Sequence, residues 1–255
     1  MLLAIDIGNT NIILGVFDGD KLKASWRIVT GIHRMPDEYA SLILHLFDHE
    51  GIKPPQITDA VLCSVSPPLV TVFEEACKRY FKISPLVVES GVKTGVRICM
   101  DNPREVGADR IVNAVAVHQL YGGPVIVIDL GTATTFDVVS EAGDYLGGAI
   151  APGIAIATEA LFNRTAVLPF VELIHPKRVI GTNTVMAMQS GIVFGYVGLI
   201  EGIVTRIQQE LGYKTQVIAT GGYAKLLANE TKIIEEINPD LTLIGLRLIH
   251  EMNRL

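Results

Sequence analysis

One short pattern occurs twice in this chain: an apolar run that ends in aspartate and turns through glycine. The copies are Asp6-Ile7-Gly8-Asn9-Thr10-Asn11 and Asp129-Leu130-Gly131-Thr132-Ala133-Thr134-Thr135, the second aspartate lying 123 residues after the first. Their surroundings keep step. Leu2 to Ile5 and Val125 to Ile128 are apolar, and the polar turns starting at Asp18 and Glu141 each begin twelve residues after their aspartate. Each copy therefore predicts strand, glycine turn, strand, polar turn, strand. Two such copies imply two related domains facing each other across a cleft.

The rest of the chain fills in a mixed α/β pattern. Alternating apolar residues over Ile12 to Phe17 and Leu22 to Ile28 predict antiparallel strands after the first. Pro36-Asp37-Glu38 opens a helix to about His49, with Tyr39, Leu42, Ile43, Leu46 and Phe47 on one face. A strand over Ala60 to Val65, a helix near Leu69 to Tyr80 and a short strand at Leu86 to Glu89 complete a βββαβαβ half. Asn102 is placed to cap a helix whose first residue is Pro103 and which continues through Gly107, putting Asp109 and Asn113 on one face. Tyr121-Gly122-Gly123-Pro124 breaks that helix just before the repeated strand, which sets domains of 1–119 and 120–255. The placement of a terminal helix over about Thr242 to Leu255 stays open between the two halves.

Composition removes several function classes. The 255 residues are 49% apolar, enough for well-formed cores, and the net charge of −6 comes without a basic run. Nucleic acid and an anionic membrane surface are therefore poor partners. Cys63, Cys77 and Cys99 have neither disulfide-framework numbers nor Cys-x-x-Cys spacing, which fits a reducing cytoplasm. No secretory signal is visible at the start. Residues 179–200 carry no charge, but Thr182, Asn183, Thr184, Gln189, Ser190 and four glycines lower their hydrophobicity, so a buried, tightly packed helix is expected.

The duplicated turns suit phosphate. An isolated Asp-x-Gly is an ordinary loop; two copies, each at a strand end and rich in Asn or Thr, predict a nucleotide clamp. Gly8, Asn9, Thr10 and Asn11 offer donors from one side, and Gly131, Thr132 and Thr134 from the other. Asp6 and Asp129 suit a cation directly or through water. Thr220-Gly221-Gly222 leaves an apolar strand and opens a helix, which makes Gly221 and Gly222 a third nucleotide contact. Gly181-Thr182-Asn183-Thr184 is most simply a polar helix cap. Asp109, following Gly107-Ala108, is the candidate base. Asp137 has no partner motif and reads as structural, the six histidines lack ligand spacing, and Ser64 and Ser66 lack a nucleophile elbow.

Together these residues resemble the superfamily of acetate and sugar kinases, heat-shock chaperones and actin, and more closely the type III pantothenate kinase family. The resemblance rests on the two aspartate turns, on Asp101-Asn102-Pro103-Arg104-Glu105-Val106-Gly107-Ala108-Asp109-Arg110, on Gly147-Gly148-Ala149-Ile150-Ala151-Pro152-Gly153 and on Gly181 to Thr184. It implies duplicated actin-like (ribonuclease H-like) domains, each a mixed five-stranded sheet flanked by helices, with an ATP cleft between them. It also implies ATP-dependent phosphorylation of pantothenate, the first step of coenzyme A biosynthesis, by a cytoplasmic homodimer that needs Mg²⁺ and a monovalent cation, K⁺ or NH₄⁺.

Carried over by position, the resemblance makes Asp109 the proton acceptor and lines the pantothenate site with Gly107, Ala108, Asp109, Arg110 and Thr184. It assigns the monovalent cation to Asp129, and ATP to Asp6, Ile7, Gly8, Asn9, Thr10, Asn11, Ile12 and Ile13 with Thr132; Asp6 would meet Mg²⁺, directly or through water. Met100 stands where the family usually has tyrosine: it packs against an apolar group but donates no hydrogen bond. The nucleotide turns alone would equally serve a kinase for another small acceptor or a non-catalytic nucleotide-binding regulator. The Asp101 to Arg110 and Gly181 to Thr184 elements argue for an acceptor site.

Overall fold

The computed structural model describes residues 1–254, in two compact units. The first comprises Met1–Val96, Asp101–Ala116 and the segment from Leu241 onward; the second comprises Arg97–Met100 and Val117–Asp240. The linear halves 1–119 and 120–255 differ from these units chiefly at the two returns of chain, Arg97–Met100 and the terminal segment.

In the first unit, β1 (Leu2–Ile7), β2 (Asn11–Asp18) and β3 (Lys21–Val29) form an antiparallel meander, while β4 (Asp59–Ser64) and β5 (Leu86–Val87) continue parallel to β1. The order is β3-β2-β1-β4-β5. Side chains alternate across the sheet, so Leu3, Ile5 and Ile7 share one face with Ile12, Leu14 and Val16. Helices α1 (Pro36–His49) and α2 (Pro67–Ala76) cover that face through Tyr39, Ile43, Phe47, Leu69 and Phe73. Each such side chain, fully buried, contributes about 1.5–3 kcal/mol. The opposite face, with Leu2, Ala4, Val61 and Cys63, lies under α3 (Ala108–Tyr121) and α7 (Leu241–Asn253). The terminal helix thus belongs to the first unit: Leu243, Leu246 and Ile249 join this core, and Thr242 Oγ1 donates to Asn113 Oδ1 at 2.8 Å.

The expected helix from Pro103 is corrected. Pro103–Glu105 is one 3₁₀ turn, Val106 is extended with ψ 123°, and Asn102 donates its side-chain amide to Glu105 at 2.7 Å instead of capping a helix. The extended Val106 interrupts the helical hydrogen bonds, and α3 restarts with the Gly107 carbonyl accepting from Arg110 and Ile111. Asp109 accordingly sits in a first helical turn.

The second unit repeats the plan. β6 (Val125–Leu130), β7 (Ala133–Val139) and β8 (Tyr145–Pro152) form the meander, β9 (Gln216–Thr220) and β10 (Glu236–Ile237) run parallel to β6, and the order is β10-β9-β6-β7-β8. Both meanders carry a register shift, between Val16 and Phe17 and between Val138 and Val139. Val138 follows Val16 by 122 residues, because the second glycine turn is one residue shorter. Helices α4 (Ile154–Asn163), α5 (Thr184–Leu211) and α6 (Ala224–Ala228) complete the unit. Helix α5 is long and apolar enough to cross a membrane. Val193, Tyr196, Val197, Ile200 and Val204 pack one face of it on the sheet. The expected buried helix over 179–200 is corrected, since Val179 and Ile180 precede the helix and are exposed, as are Gly191, Gly195 and Gly198 on its other face.

Candidate active site

In the first unit the candidate chemistry gathers at the carboxyl ends of two parallel strands, the place where open α/β sheets present their ligand crevices. The β1–β4 register sets Asp6 beside Cys63, whose thiol donates to Asp6 Oδ1 at 3.4 Å. Cys63 has no exposed surface. Burial, then the charges of Asp6 and Asp109, hold its thiol well above the usual range, so it stays protonated. Asp109, in the first turn of α3, is near enough for its charge to act on Cys63, and its Oδ1 accepts the Arg110 backbone N–H at 2.9 Å. Gly107 leaves room for that carboxylate: a β-carbon there would lie 2.5 Å from Asp109 Oδ1.

The first turn is held by the Gly8 N–H donating to the Asn11 carbonyl at 3.0 Å and by Thr30 Oγ1 donating to the Gly8 carbonyl at 2.8 Å. Asn9 and Thr10 are exposed, Asn11 and Ile13 half-buried, and Ile7 and Ile12 point into the core. Those last two therefore offer a ligand only backbone.

In the second unit, Asp129 ends β6 and the Gly131 N–H donates to the Ala133 carbonyl at 3.0 Å. Gly153 donates to the Thr132 carbonyl at 3.1 Å, bringing the glycine-rich end of β8 to this turn. Gly221, at φ +92°, presses on the same strand end, since a β-carbon there would lie 2.6 Å from Leu130 C and 2.7 Å from Asp129 Oδ1. Asp129, Gly131, Thr132 and Gly221 are thus neighbours, with exposed Gly222 next in chain. Thr134 is fully buried on the face of Phe136, and its hydroxyl has no hydrogen-bond partner. Its side chain faces the core in this structure.

The residues expected to line the acceptor site belong to different units. Gly107, Ala108, Asp109 and Arg110 open α3 in the first. Met100 lies in the second, where residues 97–100 run alongside β8: the Tyr145 N–H donates to the Arg97 carbonyl and the Cys99 N–H to the Tyr145 carbonyl, each at 2.8 Å. Met100 Sδ stands 3.3 Å from where a Gly147 β-carbon would be. Exposed Thr184 begins α5, and Asn183 caps it by accepting from Met186 N at 2.9 Å.

Comparison with known sequences now bears on these residues. The sequence model of the type III pantothenate kinases matches residues 2–206. This chain belongs to that family. A type III pantothenate kinase of Dehalococcoides mccartyi is 58% identical, over 99% of this chain and 98% of its own. One from Moorella thermoacetica is 54% identical over 99% and 100%. Among solved structures, the activator of 2-hydroxyisocaproyl-CoA dehydratase from Clostridium difficile, with bound ADPNP, aligns with TM-score 0.57 at 13% identity over 98% of this chain and 94% of its own. The Acidaminococcus fermentans (R)-2-hydroxyglutaryl-CoA dehydratase component A gives 0.53 at 13% over 96% and 94%. At that identity the likeness concerns fold alone, and it agrees with the duplicated actin-like plan of the two sheets.

Sequence reasoning missed two features. Cys63 is set aside there because its spacing suits neither disulfide nor zinc, whereas the β1–β4 register puts its thiol against Asp6. Asp137, which reads as structural, is fully buried and accepts the hydroxyls of Thr135 and Tyr145 at 2.9 and 2.7 Å; what the sequence reasoning left out is that it shares a sheet face with Asp129. Counting in twos from Asp129 across the short turn is the signal that finds it.

Among the described residues no group of three or more His, Cys, Asp or Glu side chains is arranged to hold a metal ion by itself. Single strand-end carboxylates fit Mg²⁺ that arrives with nucleotide, because Mg²⁺ keeps waters and phosphate oxygens in its shell.

Proposed function

We propose that this enzyme transfers the γ-phosphoryl group of ATP to the terminal hydroxyl of pantothenate, giving 4'-phosphopantothenate for coenzyme A synthesis. Membership of the type III pantothenate kinase family over nearly the whole chain is the observation that carries this reading. The ADPNP in the aligned Clostridium difficile structure supports nucleotide binding by such a fold.

In this reading Asp6 to Ile13 and Thr132 hold ATP, with Gly131, Gly221 and Gly222 supplying backbone donors. Thr134 supports the second turn from the core side. Mg²⁺, met by Asp6, neutralises charge on the phosphates. Met100, Gly107 to Arg110 and Thr184 line the acceptor site, and Arg110 is suited to the pantothenate carboxylate. Asp109 accepts the hydroxyl proton as the O–P bond forms. Phosphoryl transfer through a loose transition state needs chiefly alignment and charge neutralisation, so a single well-placed carboxylate is enough. Asp129 takes the monovalent cation.

A homodimer in the cytoplasm completes the proposal. Exposed Val167, Phe170, Val179 and Ile180 support a second copy as partner. So does the open face of α5 at Gly191, Gly195 and Gly198, where an added β-carbon meets nothing within 4 Å. Light scattering across a dilution series tests the dimer; a monomer at all concentrations overturns it. Incubation with ATP, Mg²⁺, K⁺ and pantothenate tests the reaction. Turnover of other small alcohols but not of pantothenate would reassign the acceptor.

A further inference from the structure

The two aspartate turns share a register but not their neighbours. Across the first turn Asp6 pairs with Ile13, and two residues further along the same face comes Gly15. Across the second, Asp129 pairs with Thr135, and two residues further comes Asp137. The face is fixed by alternation: Leu130, Phe136 and Val138 join the helix-covered core, so Asp129, Thr135 and Asp137 all stand on the other side. Gly15 is filled by Leu243, whose Cδ1 would lie 2.8 Å from a β-carbon there. The polar pair is therefore particular to the second unit.

Asp137 has no exposed surface and accepts hydrogen bonds from Thr135 Oγ1 at 2.9 Å and Tyr145 Oη at 2.7 Å. A hydroxyl has one proton and two lone pairs. With its proton directed at Asp137, Thr135 turns oxygen lone pairs towards its surroundings, and half-buried Asp129 stands directly opposite. Side chains paired in this way have β-carbons roughly 4.5–5.5 Å apart, a gap that one ion touching an oxygen on each strand closes.

We propose that Thr135 Oγ1 is a ligand of the monovalent cation held by Asp129, and that buried Asp137 is a positioning residue that fixes the hydroxyl by taking its proton. The inference rests on the reading of Asp129 as the cation residue. Tyr145 adds the second donor that keeps Asp137 in place.

The test is a K⁺ titration followed by thermal denaturation of the full-length protein with Mg²⁺ and a non-hydrolysable ATP analogue, in choline buffer. Thr135→Val and Asp137→Asn should each raise the K⁺ midpoint by about tenfold or more, the range found when partners that orient a metal ligand are removed. Thr135→Ser should stay near wild type, and Asp129→Asn should lose the K⁺ response. If Asp129→Asn keeps the full response, the cation reading itself fails. If it loses the response while Thr135→Val and Asp137→Asn keep the wild-type midpoint, only the present inference is overturned. Should Asp137→Asn fail to fold, equal midpoints for Thr135→Val and Thr135→Ser overturn it alone.

Discussion

Cys63 and Asp6 face each other across the parallel β1–β4 pair, thiol to carboxylate, at 3.4 Å. A thiol that stays protonated adds no further negative charge beside Asp6 and within reach of the Asp109 charge. Cys63→Ala should cost about 1–2 kcal/mol of stability and weaken Mg²⁺–nucleotide binding, while Cys63→Ser keeps more of both. Urea unfolding and nucleotide titration measure the two effects. Unchanged nucleotide affinity in Cys63→Ala would show that Asp6 does not need the thiol.

Thiol reactivity offers a separate check. Cys63 and Cys77 are buried and Cys99 is exposed. Burial, then the Glu74 charge, pushes the Cys77 thiol up to about 12. Ellman's reagent should therefore label one thiol in the native protein, at Cys99, and the other two only after unfolding. Fast native labelling at Cys63 would contradict its environment.

Asp109→Asn should lower kcat by roughly 10²–10⁴-fold, the usual contribution of a general base, with both substrates still bound. Gly107→Ala puts a methyl group where Asp109 Oδ1 now lies, so it should lower kcat while leaving the melting temperature nearly unchanged. Steady-state kinetics with calorimetric binding distinguishes these outcomes. Full activity in Asp109→Asn would remove it as the proton acceptor.

Gly221→Ala meets two obstacles, a φ of +92° and contact with Leu130 and Asp129. The substitution should cost about 1–3 kcal/mol and raise the KM for ATP, because the strand end it displaces carries the second turn. Thermal denaturation and ATP saturation curves report both. A variant with wild-type KM would separate Gly221 from the nucleotide.

His250, near the end of α7, has its pKa lowered from 6.5, first by burial and secondarily by Arg254, against the opposing pull of Asp59 at 3.6 Å. The folded state then binds fewer protons than the unfolded state below 6.5. Its stabilising contribution is present above that pH and is lost as pH falls through the lowered folded value. His250→Gln should show a smaller drop in melting temperature on acidification from neutral pH than wild type. Parallel curves would assign the acid sensitivity to other groups.

Much of this protein is legible in its sequence because its information is local and repeated. The two aspartate turns, their apolar strands and their polar hairpins give the duplicated sheet, since period-two alternation and glycine turns are written in neighbouring residues. The Asn183 cap of α5 is local in the same sense. Tertiary structure decided what depends on pairing between distant segments. It placed α7 on the first sheet, where Leu243, Leu246 and Ile249 find an apolar face that their own spacing cannot identify. It broke the chain at Val106 and set Asp109 in a first helical turn. It turned Thr134 into the core, brought Cys63 to Asp6, and put Thr135 and Asp137 on the side of Asp129. A one-residue difference in a turn reverses which face each later side chain occupies, so the second aspartate acquired polar neighbours that the first lacks.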